Sequence, residues 1–143
     1  MKKGKKMERY KVILVDDEAE VIDMIEKKIH WNDLGFEVAG SATNGVKALE
    51  LVEKLQPDVV LTDIKMPYMD GLELSRRLNR EYPNIYIMLC TGFDEFEYAK
   101  EAVHLEIKEY MLKPVNATEL SESLTNLKLS LIHISEPTRH AQI

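Results

Sequence analysis

Apolar positions along this chain alternate between two periods. Lys11 to Val15, Val59 to Leu61 and Ile85 to Cys90 are short apolar runs, which is how strands buried on both faces of a parallel sheet read. Phe36, Val38 and Ala39 to Ala42 mark another strand, and Glu109 to Leu112 a short last one. Between them the spacing changes to three and four. Val21, Ile22, Ile25 and Ile29 predict one helix, and Ala48, Leu49, Val52 and Leu55 a second. Leu72, Leu74, Leu78 and Tyr82 predict a third, Phe96, Ala99, Ala102 and Val103 a fourth, and Leu120, Leu124, Leu127 and Leu131 a last. Punctuation agrees with these periods. Trp31 and Gly35 close the first helix, Asn44-Gly45 turns into the second, and Pro57 and Pro83 stop helices before them. Asp94 with Glu97, and Asn116 with Glu119, are capping patterns. Five βα units predict an α/β fold: one five-stranded, doubly wound parallel sheet with helices on both faces.

Chemistry-bearing residues fall where strands end. Asp16-Asp17 follow the first strand, Asp63 the third, Thr91 the fourth and Lys113 the fifth. After Asp63, Met66-Pro67 and Asp70-Gly71 read as turn chemistry, proline fixing φ and glycine accepting φ > 0. On this stretch alone, an acid that only caps its loop explains Asp63 equally well. The topology weighs against that bland reading, because it brings the carboxyl ends of all these strands to one edge, where open α/β sheets bind ligands. Three carboxylates gathered there repel by roughly 1–4 kcal/mol per close pair and call for a cation. An all-oxygen set suits Mg²⁺ rather than zinc, which prefers His or Cys. With a lysine ammonium and a threonine hydroxyl beside it, such a pocket suits a phosphoryl group held on the remaining acid.

Composition narrows the class. A chain of 143 residues, 45% hydrophobic and 31% charged, suits one globular domain. Its net charge of −6 argues against a general binder of nucleic-acid backbone. The single cysteine, Cys90, leaves no internal disulfide and suits a reducing cytoplasm. Residues 1–7 read as a flexible basic tail, with no following apolar stretch long enough for a signal peptide or membrane span.

The set Val15-Asp16-Asp17-Glu18, Leu61-Thr62-Asp63-Ile64-Lys65-Met66-Pro67-Tyr68-Met69-Asp70-Gly71, Thr91-Gly92 and Tyr110-Met111-Leu112-Lys113-Pro114 resembles the receiver domain of two-component response regulators. The likeness runs from about Tyr10 to Leu129 with every motif in the family's order. It implies a flavodoxin-like three-layer sandwich and a cytoplasmic signalling role. It makes Asp63 the phosphoacceptor, served by a sensor histidine kinase and Mg²⁺. Asp17, Asp63 and the Lys65 backbone carbonyl would hold the metal, with Asp16 acting mainly through a metal-bound water. Lys113, next to a cis peptide at Pro114, and Thr91 would contact phosphoryl oxygens, and the Ile64 and Gly92 amides would add donors. Lys65 and Phe93 stand where the family tunes phosphoryl lifetime.

The same resemblance implies a switch in which Thr91 moves toward the phosphoryl group and Tyr110 turns inward. The surface of Glu95 to His104, Glu109 to Leu112 and Ala117 to Leu129 would then control dimerisation or output. Trp31, Gly35-Phe36, Asn44-Gly45 and Gly92-Phe93-Asp94-Glu95-Phe96 look most like receivers that precede an AraC-type DNA-binding domain, so transcription control is expected of a longer parent and direct DNA binding is not expected of this chain. The receiver is expected over 8–130. Residues 131–143 resemble translated vector or adapter sequence and are expected to be non-native or disordered. Two other classes compete: an interaction-only receiver that is never phosphorylated, and a haloacid-dehalogenase-like phosphatase. The latter wants a second acid two places after the nucleophile, where this chain has Lys65. An enzyme with its own metabolic substrate is therefore not expected, only self-catalysed transfer and hydrolysis.

Overall fold

In the computed structural model, residues 9–92 and 109–134 are described. Strands β1 (Tyr10–Val15), β2 (Phe36–Ala42), β3 (Val59–Asp63), β4 (Tyr86–Thr91) and β5 (Glu109–Leu112) form one parallel sheet in the order β2-β1-β3-β4-β5. That is the doubly wound sheet the alternating periods predict. The helices among the described residues are α1 (Ala19–Lys28), α2 (Trp31–Leu34), α3 (Gly45–Leu55), α4 (Gly71–Glu81) and α5 (Ala117–Ile134).

Strand alternation divides the core in two. Val12, Leu14, Val59, Leu61, Met88 and Cys90 face one side, where Ile22 and Ile25 of α1, Trp31 of α2, and Leu120, Leu124, Leu127 and Leu131 of α5 cover them. Ile13, Val15, Val60 and Ile87 face the other, against Ala48 and Val52 of α3 and Leu74 and Leu78 of α4. Side-chain caps start three of the helices. Asn44, Asp70 and Asn116 each accept a backbone N–H three residues on, from Lys47, Glu73 and Glu119, at 2.9 Å.

Two segments differ from the sequence pattern. Trp31 does not end α1; the chain turns extended at Ile29, and Trp31 opens the separate turn α2. The indole N–H donates to the Glu26 carbonyl at 3.1 Å, which satisfies an acceptor that the end of α1 leaves over. Gly35, at φ 92°, then caps α2 in the left-handed region. At the other end, α5 runs to Ile134, past the boundary expected at 130. Leu131 continues the buried stripe, 7% exposed. The predicted helix at 96–103, its capping pair Asp94 and Glu97, Phe93, and the rest of the expected tail lie outside the described residues.

Candidate functional site

Register builds the site. Val15 pairs with Thr62, so Asp16, one step further, comes beside Asp63 at the end of β3. Asp63 pairs with Cys90, which places Thr91 one step beyond on β4. Thr91 pairs with Leu112, which puts Lys113 just past the end of β5, its N–H donating to the Thr91 carbonyl at 2.8 Å. The Lys113–Pro114 peptide is cis. Residues from four parts of the chain thus share one rim of the sheet.

Lys113 reaches across that rim. Its ammonium lies 3.1 Å from Asp16 Oδ2 and 3.2 Å from Asp63 Oδ2, tying the two buried carboxylates to one cation. Their other oxygens accept backbone donors: Glu18 N–H to Asp16 Oδ1 at 2.9 Å and Ile64 N–H to Asp63 Oδ1 at 2.8 Å. Burial pushes the Asp63 carboxyl up, the Asp16 charge pushes it further, and Lys113 with the Ile64 amide pulls it back in part; the balance is about 6 against an ordinary 3.8. Burial works against the Lys113 ammonium, but hydrogen bonding and charge from Asp16 and Asp63 outweigh it and hold its pKa above the usual lysine range. The pocket is therefore short of positive charge even with Lys113 in place.

Asp17 completes the acid group. Its carboxylate is exposed, yet one oxygen each from Asp16, Asp17 and Asp63 lie within 4.8 Å of one another. Three hard oxygen donors of this kind, open to water on one side, fit Mg²⁺. Cys90 offers no competing soft ligand, since burial pushes its thiol up to about 12 and keeps it protonated. Thr91 is buried and its hydroxyl donates to the Gly92 carbonyl at 3.1 Å. Lys65 is the second residue of the loop after β3 and is exposed. Tyr110, two strands from Asp63, is 41% exposed. His30 caps the start of α2, away from the carboxyl ends of the strands.

Glycines of this loop have a role that turn chemistry does not reveal. Gly71 is the first residue of α4 and has no positive φ. Its N–H donates to the Ile64 carbonyl at 2.7 Å, and a Cβ there would run into the Asp63 carbonyl oxygen. Close backbone approach, not φ, demands the glycine. Asp-Gly is visible in the sequence, but the neighbour that makes it obligatory is not.

Comparison with known proteins agrees with this geometry. Over 118 residues the chain is 42% identical to the uncharacterized transcriptional regulatory protein YesN of Bacillus subtilis (strain 168), a match covering 82% of this chain and 32% of that protein. Among solved structures it resembles the REC domain of AraT, a response regulator from Geobacillus stearothermophilus, with a TM-score of 0.85 and 38% identity over 89% of this chain and 98% of that one. A two component transcriptional regulator AraC from Clostridium phytofermentans ISDg gives 0.82 and 29% over the same shares. The chain spans about a third to a half of the length of the curated relatives it matches. The profile of the response regulator receiver domain matches residues 12–125, most of the chain and every strand end that carries the acid pocket, and the chain belongs to that family, the receivers of two-component response regulators.

Proposed function

We propose that Asp63 accepts a phosphoryl group from a sensor histidine kinase and that Mg²⁺, held by Asp16, Asp17, Asp63 and the Lys65 carbonyl, is needed for it. The observation that carries this reading is the gathering of three carboxylate oxygens within 4.8 Å beside one bridging ammonium. Bound there, the cation supplies the positive charge that the carboxylates and the incoming phosphoryl oxygens need. The Ile64 N–H fixes the Asp63 carboxylate through Oδ1. A carboxylate oxygen of Asp63 forms the new bond to phosphorus as the bond from phosphorus to the donor imidazole breaks. Lys113 then turns from the carboxylates to the phosphoryl oxygens, and the Gly92 amide adds a donor.

Thr91 and Tyr110 form the readout. With the Thr91 hydroxyl turned to Gly92 and Tyr110 41% exposed, the chain has the features of the unphosphorylated member of a two-state pair. Phosphorylation draws the Thr91 hydroxyl inward, Tyr110 follows, and the face made by β5 and α5 becomes a homodimer contact. Transcription control belongs to a longer parent with a DNA-binding output domain. The receiver acts in the cytoplasm and turns over no substrate beyond its own aspartyl phosphate. No helix among the described residues is long and apolar enough to cross a membrane. Intact mass after incubation with acetyl phosphate and Mg²⁺ tests the reading. One added phosphoryl group, absent with EDTA and from Asp63→Ala, is expected, and no addition to folded wild type would overturn it.

A further inference from the structure

Gly45 is the first residue of α3, after the cap Asn44, and its φ is not left-handed. Helix propensity alone would favour alanine over glycine there. What the position lacks is room. A Cβ on Gly45 would stand 2.8 Å from Met69 Cβ, 2.9 Å from Met69 Cγ and 2.8 Å from the Met69 carbonyl oxygen. Only the Cγ contact could ease by a change of rotamer. The Cβ is placed by the backbone and the carbonyl oxygen belongs to it, so both can ease only if the loop moves.

That loop joins Asp63 to α4 and is strained. Met69 N–H donates to the Pro67 carbonyl at 2.7 Å, closing a γ-turn across Tyr68 at φ 70°. This is the rarer, costlier form of γ-turn, and a non-glycine residue adopts it only when the surroundings impose it. The Tyr68 side chain is 89% exposed, so its own packing imposes nothing. Other supports hold it: Met66 and Met69 pack against the core beside α3 and α4, Asp70 caps α4, and the Gly71 N–H donates to the Ile64 carbonyl at 2.7 Å. The bare first turn of α3 at Gly45 adds the seat for the Met69 carbonyl.

We propose that Gly45 is a positioning residue for the acid pocket: by presenting no side chain, it seats the Met69 carbonyl and holds the strained turn that sets the backbone from Ile64 to Gly71. The inference rests on the reading of Asp63 and the Lys65 carbonyl as the Mg²⁺ and phosphoryl site. An added methyl displaces Met69, the turn opens, and the Lys65 carbonyl leaves its place in the cation site.

The test is Gly45→Ala in the full chain, with three readouts. In metal-free buffer the amide resonances of Lys65, Met69 and Gly71 shift while those of β5 and α5 stay. Calorimetric titration gives a Mg²⁺ Kd raised about tenfold, the lower end for disturbing groups that orient metal ligands. Phosphorylation by acetyl phosphate slows by the same factor at limiting Mg²⁺ and recovers at saturation. Gly45→Ala/Tyr68→Gly, which relaxes the turn, regains most of the Mg²⁺ affinity, and regains folding should the single variant lose it. Unshifted loop amides with a Kd within about twofold of wild type would overturn the proposal, as would a double variant no better than the single one. Failure of wild type itself to bind Mg²⁺ or accept a phosphoryl group counts instead against the proposed function, and the metal-free amide shifts still decide the role of Gly45.

Discussion

Replacing Asp63 by asparagine should make the metal-free protein more stable near neutral pH. The folded-state pKa of Asp63, about 6, lies above the ordinary 3.8. Between those values the folded state holds more protons than the unfolded chain, so stability falls as pH rises through that window and is lowest above it. Taken whole, the rise from 3.8 to about 6 corresponds to about 3 kcal/mol. The pocket opens to solvent, and screening there leaves an effective penalty of about 1–2 kcal/mol. Asparagine keeps an acceptor for the Ile64 N–H and removes the charge, while Lys113 keeps Asp16 at 3.1 Å. In EDTA at pH 7.5, Asp63→Asn is therefore expected to melt roughly 3–8 °C above wild type. At pH 5 the gap shrinks by about half, as the folded wild type takes up its proton. Added Mg²⁺ narrows it too, since the cation binds the wild-type fold more tightly. Thermal melts in EDTA at the two pH values decide. A lower melting temperature for Asp63→Asn at pH 7.5, or a gap indifferent to pH, would refute the claim that burial and Asp16 strain this carboxylate.

Three further substitutions probe the rest of the site. Lys113→Ala leaves Asp16 and Asp63 without their shared cation and should cost about 2 kcal/mol in EDTA, with much of the loss restored by Mg²⁺; equal melting temperatures with and without the lysine would contradict this. Gly71→Ala drives a methyl into the Asp63 carbonyl and should cost about 2–3 kcal/mol in urea unfolding; an unchanged midpoint would mean the loop yields freely. Tyr110→Ala should be phosphorylated at the wild-type rate yet dimerise less when phosphorylated, and equal dimerisation by ultracentrifugation would remove Tyr110 from the switch.

The sheet and the acid pocket are legible in the sequence for one physical reason. Strands buried on both faces are short apolar runs, so their carboxyl ends can be read to within a residue or so, and register does the rest. Asp16, Asp63, Thr91 and Lys113 all stand where their runs stop. Features that depend on a neighbour distant in the chain are not legible. Asn44-Gly45 and Asp70-Gly71 look alike as turn signals, yet both glycines are helical and are required by what lies opposite, Met69 and the Asp63 carbonyl. The break before α2 depends on the Trp31 indole finding the Glu26 carbonyl, which periodicity does not encode. Leu131 is the opposite case. Its spacing from Leu127 and Leu124 marks it as core, although the residues after it lose the receiver pattern.

The most direct test of the central claim is to locate the phosphoryl group. Wild-type protein would be phosphorylated with acetyl phosphate and Mg²⁺, reduced with borohydride so that an acyl phosphate becomes homoserine, and mapped by peptide mass spectrometry. Homoserine at position 63, with Asp16 and Asp17 unmodified, is the expected result. Modification at any other residue, or none in a protein shown to be folded, would contradict the assignment of Asp63 as phosphoacceptor.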